Sequence, residues 1–154
     1  MAEKELFKTL LSKAMALCAR QELCSNDMRE KLLSWGLAKT DAERIITELI
    51  KEKFINEERY SYAFVKDKFN YNKWGKIKIA AHLRAKSIPG DLIQSALNSI
   101  DNDLYKQVLK ELLLSHRRSV KAKNQYDLKG KLLRYGLSKG FESNLLYDFL
   151  NDLD

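Results

Sequence analysis

Met28-Arg-Glu-Lys-Leu-Leu-Ser-Trp-Gly-Leu37 recurs 100 positions later as Leu128-Lys-Gly-Lys-Leu-Leu-Arg-Tyr-Gly-Leu137, and Ile79-Ala-Ala-His-Leu-Arg-Ala-Lys-Ser-Ile88 lies midway between them. In register, Leu32, Leu83 and Leu132 correspond, as do Gly36, Ser87 and Gly136, and Leu37, Ile88 and Leu137. The spacing is 51 residues and then 49. Self-similarity at a near-constant period marks a repeat architecture, in which each unit is one supersecondary element stacked on its neighbours.

The units are helical. Phe7, Leu11, Ala14 and Cys18 form one apolar stripe. Ala42, Ile45, Ile46, Leu49 and Ile50 form another, and the pattern returns in Leu104, Val108 and Leu112 and in Leu145, Leu146, Phe149 and Leu150. These are spacings of three and four, the period of one helix face. No stretch alternates apolar with polar, so no strand is expected. Thr40-Asp41-Ala42-Glu43 reads as a capping box. Asn56 before Glu57 and Glu58 reads as an N-cap with acids on the positive helix end. Pro89 suits a first helical turn. Gly36 and Gly136 each suit the left-handed position that ends a helix. The punctuation predicts nine helices near 3–21, 25–35, 40–53, 56–70, 74–86, 89–99, 102–121, 124–135 and 139–152. They group as three-helix repeats over 1–54, 55–100 and 101–154. The expected fold is all-α, three tandem three-helix repeats in an elongated, curved array. Such an array offers a surface that runs along a partner rather than a pocket that encloses a substrate.

Composition agrees. The 154 residues carry 28 Lys and Arg against 21 Asp and Glu, a net charge of +7, with one Pro and six Gly. A chain of this length buries roughly 70% of its unfolded surface, so it holds a core without disulfides or metals. Collagen-like, disulfide-rich and most disordered classes are excluded. The longest apolar stretch, Ala14 to Ala19, falls far short of the ~20 residues of a spanning helix. No basic segment followed by an apolar one opens the chain, so a cytoplasmic protein away from membranes is expected. Cys18 and Cys24 match neither a CxxC redox motif nor zinc-ligand spacing, and are expected as reduced thiols. Cys18 shares a face with Phe7, Leu11 and Ala14 and is expected to pack in the core.

The inventory for catalysis is poor. His82 and His116 fall in different repeats and in no HExxH pattern, and there is no GxSxG, P-loop or GxGxxG. His82 is expected on a helix surface. No catalytic residue, metal or cofactor is expected, and no enzymatic activity.

Charge is more informative. Residues 66–86 hold Lys66, Lys68, Lys73, Lys76, Lys78, Arg84 and Lys86 against Asp67, a net charge of +6, interleaved with Phe69, Tyr71 and Trp74. Residues 115–134 hold Arg117, Arg118, Lys121, Lys123, Lys129, Lys131 and Arg134 against Asp127, again +6. By contrast, 40–60 is net −2, and 141–154 carries Glu142, Asp148, Asp152 and Asp154 with no base. Basic clusters attract phosphates and release counterions, and exposed aromatics stack on single-stranded bases. The candidate binding residues are therefore Lys66, Lys68, Tyr71, Lys73, Trp74, Lys76, Lys78, Arg84, Lys86, Arg117, Arg118, Lys121 and Lys123. The plainer alternative is a solvated helix face, with Phe69 and Trp74 in the core. Trp35 stands beside a helix-ending glycine, as Tyr135 does, and is expected to be structural.

One stretch is more specific. Phe54-Ile-Asn-Glu-Glu-Arg-Tyr-Ser-Tyr-Ala-Phe-Val65 leads to Lys73-Trp-Gly-Lys-Ile-Lys-Ile79 and then to Leu83-Arg-Ala-Lys-Ser-Ile88. This resembles the RecX family of recombination regulators. Ile55 to Ala63 match its apolar, acidic, Arg-aromatic run, and Gly75, Lys76 and Ile79 match the basic segment that follows. Leu83, Lys86 and Ile88 match its end, while Lys31-Leu32 to Gly36-Leu37 fit the preceding block. Asn56 stands where the family has an acid, and Ser87 replaces a Gly. The resemblance implies a monomeric regulator that binds the RecA recombinase filament on single-stranded DNA. It implies restraint of RecA ATP hydrolysis, strand exchange and filament growth, and so an effect on recombination, DNA repair and the SOS response. The surfaces 66–86 and 115–134 would then face the filament groove and its DNA. A competing reading is a direct DNA-binding protein built from helix-turn-helix-like units, although no helix start gathers the Arg, Asn or Gln that base readout uses. A third is a helical adaptor with no dependence on DNA.

Overall fold

The computed structural model describes residues 2–153. Among them it forms nine α-helices: α1 (Ala2–Arg20), α2 (Ser25–Ser34), α3 (Lys39–Lys51), α4 (Glu57–Asn70), α5 (Lys76–Ala85), α6 (Gly90–Asn98), α7 (Asn102–Ser119), α8 (Gln125–Ser138) and α9 (Ser143–Asn151). The fold is the all-α array of three-helix repeats that the period implied. The expected ends of α1 to α7 lie within two residues of the observed ones. The last two helices depart further.

Short polar side chains start three of the described helices. Asn56 Oδ1 accepts from the Arg59 N–H at 2.9 Å, Asp101 from Leu104 at 2.9 Å, and Asn124 from Asp127 at 2.8 Å. The capping box expected at Thr40 is not formed. α3 begins at Lys39 behind Ala38, which makes no side-chain cap, so Thr40 already lies in the first turn. The acid that would close the box is engaged elsewhere, because Glu43 pairs with Arg29 of α2.

One turn recurs at the heart of each repeat. After α2, Gly36 adopts φ +97°, and the Leu37 N–H returns to the Leu32 carbonyl at 3.2 Å. After α5, Ser87 adopts φ +63°, and Ile88 returns to Leu83 at 3.2 Å. This 6→1 bond of a Schellman ending satisfies an orphan carbonyl and drops the next apolar residue into the core. In the third unit the turn is displaced by four residues. Gly136 does not end a helix; it lies inside α8 and is buried. Gly140 takes the left-handed conformation at φ +95°, and Phe141 N–H bonds the Gly136 carbonyl at 3.1 Å. Phe141, fully buried, therefore occupies the place of Leu37 and Ile88, whereas Leu137 is 46% exposed. The cause is a close crossing. A Cβ on Gly136 would stand 2.2 Å from Leu146 Cδ2, so glycine is retained there to let α9 approach α8.

Helices pack within triplets: α1, α2 and α3 on one another, α4, α5 and α6 likewise, and α8 between α7 and α9. Leu10, Ala14, Met28, Leu32, Ile45 and Leu49 centre a core belonging to the first unit. A second core runs without interruption through the other two, with Phe69, Ile79, Leu83, Tyr105, Leu132 and Phe141. Cys18 is half-buried against the first core. Cys24 is fully buried, belongs to the second, and its sulfur caps α2 by accepting from Asp27 N–H. The accessible surface is 9643 Å², against about 8,000 Å² for a compact monomer of this mass. The array is elongated.

The two joints between units differ. The first has Cys24 buried against the second core and is otherwise polar: Lys86 Nζ lies 2.7 Å from Asp27, Tyr60 OH reaches the same carboxylate at 3.5 Å, and Arg59 pairs with Glu22. The second is backbone on backbone and shares the larger core.

Candidate nucleic-acid interface

The second joint gathers positive charge. Behind α4 the chain turns through residues 71–75, with Lys73 at φ +56° and Trp74 N–H returning to the Lys68 carbonyl at 3.1 Å. The turn delivers Gly75 onto the last unit. Its N–H donates to the Lys139 carbonyl at 2.7 Å, and Ile77 N–H donates to that of Gly140 at 3.0 Å. The Lys76 N–H is received by Tyr105 OH at 2.8 Å, and that hydroxyl donates in turn to Glu142. Burial, together with the Glu142 carboxylate, drives the Tyr105 phenol far above its ordinary range, so it stays protonated and the bridge persists at any physiological pH.

Around this joint, cations rest on rings and carbonyls. Lys68 Nζ stands 5.1 Å and Lys78 Nζ 4.6 Å from the Trp74 ring centroid, with the His82 ring at 4.5 Å. Lys76 Nζ lies 4.8 Å from the Tyr105 ring. Lys139 Nζ donates to the Asn72 carbonyl at 2.8 Å, and Lys73 Nζ to that of Asn70 at 2.7 Å. Lys68 also lies 3.9 Å from Asp67; for the other lysines, ring faces and carbonyls hold the ammonium in place but leave its full charge to act on an incoming anion. Lys139 reports the crowding: burial first, then the charge of Lys78, lowers its pKa below the ordinary lysine value.

The predicted site residues separate into groups. Lys68, Lys73, Trp74, Lys76 and Lys78 come together here, with Tyr71 beside them at 83% exposure. Trp74 is half-buried against the second core, so it is both packing and platform. Phe69 is core alone. Lys66 is exposed on α4, beside Tyr62 and Leu104. Arg84 and His82 are exposed on α5. Lys86 is half-buried and committed to Asp27 in the first joint. Burial opposes its charge, but the Asp27 hydrogen bond and charge outweigh that and raise its pKa. Arg117 and Arg118 are exposed at the far end of α7, about 18 Å along the helix from Tyr105 at 1.5 Å per residue. Lys121 and Lys123 follow in the connection to α8, where Lys131 Nζ donates to the Lys121 carbonyl at 2.6 Å. The two basic stretches are therefore two stations along one array.

Sequence reasoning missed Lys139. It was placed at a helix start, in no motif, and only the Gly75 contact brings it to the cluster. Among the described residues no three His, Cys, Asp or Glu gather as a metal site, and no helix is long and apolar enough to cross a membrane.

The chain is similar to known proteins in sequence and in fold. A family model described as RecX, second three-helix domain, matches residues 56–97, the span of α4 to α6. The regulatory protein RecX of Clostridium beijerinckii is 28% identical over 147 residues, covering 94% of this chain and 68% of the relative. That of Clostridium tetani is 27% identical over 155 residues, covering 99% and 70%. Among solved structures, a regulatory protein RecX superposes with a TM-score of 0.87 at 22% identity, over 98% of this chain and 74% of the other. RecX from Lactobacillus salivarius does so at 0.80 and 22%, over 98% of both. At that identity the superpositions speak for the fold.

Proposed function

We propose that this chain is a regulatory protein of the RecX kind, a reading supported by its similarity to RecX relatives, and that it binds the RecA recombinase filament on single-stranded DNA and restrains it. The restrained steps are ATP hydrolysis, strand exchange and filament growth. The protein acts by occupancy, without chemistry of its own. The observation that carries the reading is the lysine cluster of the second joint, Lys68, Lys76, Lys78 and Lys139 about Trp74 and Tyr105, with Tyr71 exposed beside it. An elongated array with a phosphate-seeking station at its middle and a second at the end of α7 suits a long, repetitive, negatively charged partner better than a compact one. We also propose that the triplets act as domains bounded at 1–54, 55–100 and 101–154, the first able to move on its polar joint and the other two acting as one body.

The test is a titration of this protein into RecA on single-stranded DNA, following ATP hydrolysis, with DNA alone as control. A fall in hydrolysis at amounts far below RecA supports restraint at filament ends. A fall only near equimolar amounts supports occupancy along the filament. Unchanged hydrolysis with tight, sequence-dependent binding to duplex DNA alone overturns the proposal in favour of a helix-turn-helix-like DNA binder.

A further inference from the structure

The last unit carries a groove that the lysine cluster does not use. It lies between α8 and α9 and has a volume of about 360 Å³. Tyr126, Gly130, Leu133 and Arg134 line it from α8, and Tyr147 and Leu150 from α9. Positions 126, 130, 133 and 134 repeat by four, three and one, so they share one face of α8. Tyr126 is 88% exposed and Tyr147 53%, two large rings held at the surface beside an apolar floor. Gly130 leaves that floor open, and Arg134 Nη1 lies 3.5 Å from where its Cβ would stand, placing a guanidinium over the floor.

The cation over the groove floor is Arg134, on the α8 wall. The acid on that wall, Asp127, is already answered by Lys131 Nζ at 3.1 Å and by the Lys123 N–H at 3.1 Å. Asp148 of α9 and Asp152 just after it are not among the lining residues. An occupant that matches has a flat apolar body for the tyrosines and a negative group on the α8 side. The basic connection from Arg117 to Lys123 runs up to this wall. It suits a phosphate backbone that continues past the groove, as on single-strand binders that pair a cationic track with stacking rings.

We propose that this groove receives an unstacked base of single-stranded DNA, stacked on Tyr126 and Tyr147, with its phosphate on Arg134. The proposal rests on the nucleic-acid part of the function proposed above and adds a site for the base itself. A phosphate track alone binds any polyanion, whereas this groove distinguishes a strand with bases from one without.

The experiment uses the full chain and no recombinase. Fluorescein-labelled (dT)20 and an abasic strand with the same number of phosphates are titrated at low salt, and binding is followed by anisotropy. Wild type is expected to bind (dT)20 about tenfold more tightly than the abasic strand, within the range of one stacked base. The double variant Tyr126→Ala with Tyr147→Ala is expected to lose that preference and keep its abasic affinity. Gly130→Leu fills the floor at a half-buried position whose Cβ would meet Arg134 Nη1 at an ordinary 3.5 Å, and is expected to do the same with the fold intact by circular dichroism. Equal affinities in wild type, or a preference that survives in both variants, overturns the groove. Binding to neither strand also overturns it, while the filament reading stays subject to its own hydrolysis assay.

Discussion

Gly75 and Gly140 meet backbone to backbone: a Cβ on Gly75 would stand 2.3 Å from the Gly140 carbonyl carbon and oxygen, and a Cβ on Gly140 would stand 2.2 Å from that of Lys78. This contact welds the middle unit to the last and sets Lys139 against Lys78. Neither glycine has room for a methyl group, and Gly140 also holds a positive φ. Gly140→Ala is therefore expected to cost at least about 2 kcal/mol, the left-handed strain plus the clash. Gly36→Ala has comparable strain at φ +97° but nothing within 4 Å, and is expected to cost about 1 kcal/mol. Urea midpoints of the two variants provide the comparison. Equal losses would show that the welded contact does not hold the joint.

Ser87 holds the left-handed position of the middle repeat at φ +63° without being glycine. Ser87→Gly removes strain of about 1 kcal/mol, partly offset by the greater freedom of glycine in the unfolded chain. A rise of about 2 °C in Tm is expected, given the shift of roughly 2–4 °C per kcal/mol for a chain of this size. A lower Tm would mean that the serine side chain contributes something the turn geometry does not reveal.

The Lys86–Asp27 pair ties the first unit to the second at 2.7 Å, with both side chains about a quarter exposed. A double-mutant cycle with Lys86→Met and Asp27→Asn is expected to give a coupling of about 0.5–1 kcal/mol, reduced by solvent screening. The folded pKa of Lys86 is raised above its ordinary value of 10.5. The pair therefore contributes fully below that value, and its contribution is lost as the pH climbs through the raised pKa. Stability that falls above pH 10.5 in wild type, and falls less in the Met variant, is the expected signature.

Burial pushes the Cys24 thiol up to about 11, with the Asp27 charge adding to it against the Asp27 N–H. The thiolate is the reactive species, so Cys24 is expected to resist iodoacetamide at pH 8 until the chain unfolds, while half-buried Cys18 reacts first. Equal labelling rates in the folded protein, read by peptide mass, would contradict the packing described for α2.

Charge reversal of Lys73, Lys76 and Lys78 to Glu is expected to abolish filament binding at physiological salt. Each lost phosphate contact also flattens the dependence of affinity on salt, so the residual slope should fall by about the number of contacts removed. Unchanged binding in a variant that keeps its helical signal and melting transition would remove these lysines from the interface.

The helices, the threefold repeat and the positive stretches were legible in the residues alone. Those signals are local: an apolar residue every three or four positions, an Asn or Asp before a helix, a glycine after one. Leu32, Leu83 and Leu132, all wholly buried, were legible because each repeat buries the same position of the same helix. Tertiary structure decided what local signals cannot. Gly136 and Gly140 are both glycines near a helix end, and only the crossing of Leu146 over Gly136 forced α8 onward and moved the turn by four residues. Thr40 lost its cap because Glu43 had a partner on another helix. Trp74 divides between core and cations, Lys86 is drawn to Asp27, and Lys139 joins a cluster in another unit. Charge and aromaticity are properties of residues, but their convergence depends on which backbones touch, and here that rests on two glycines with no side chain to keep them apart.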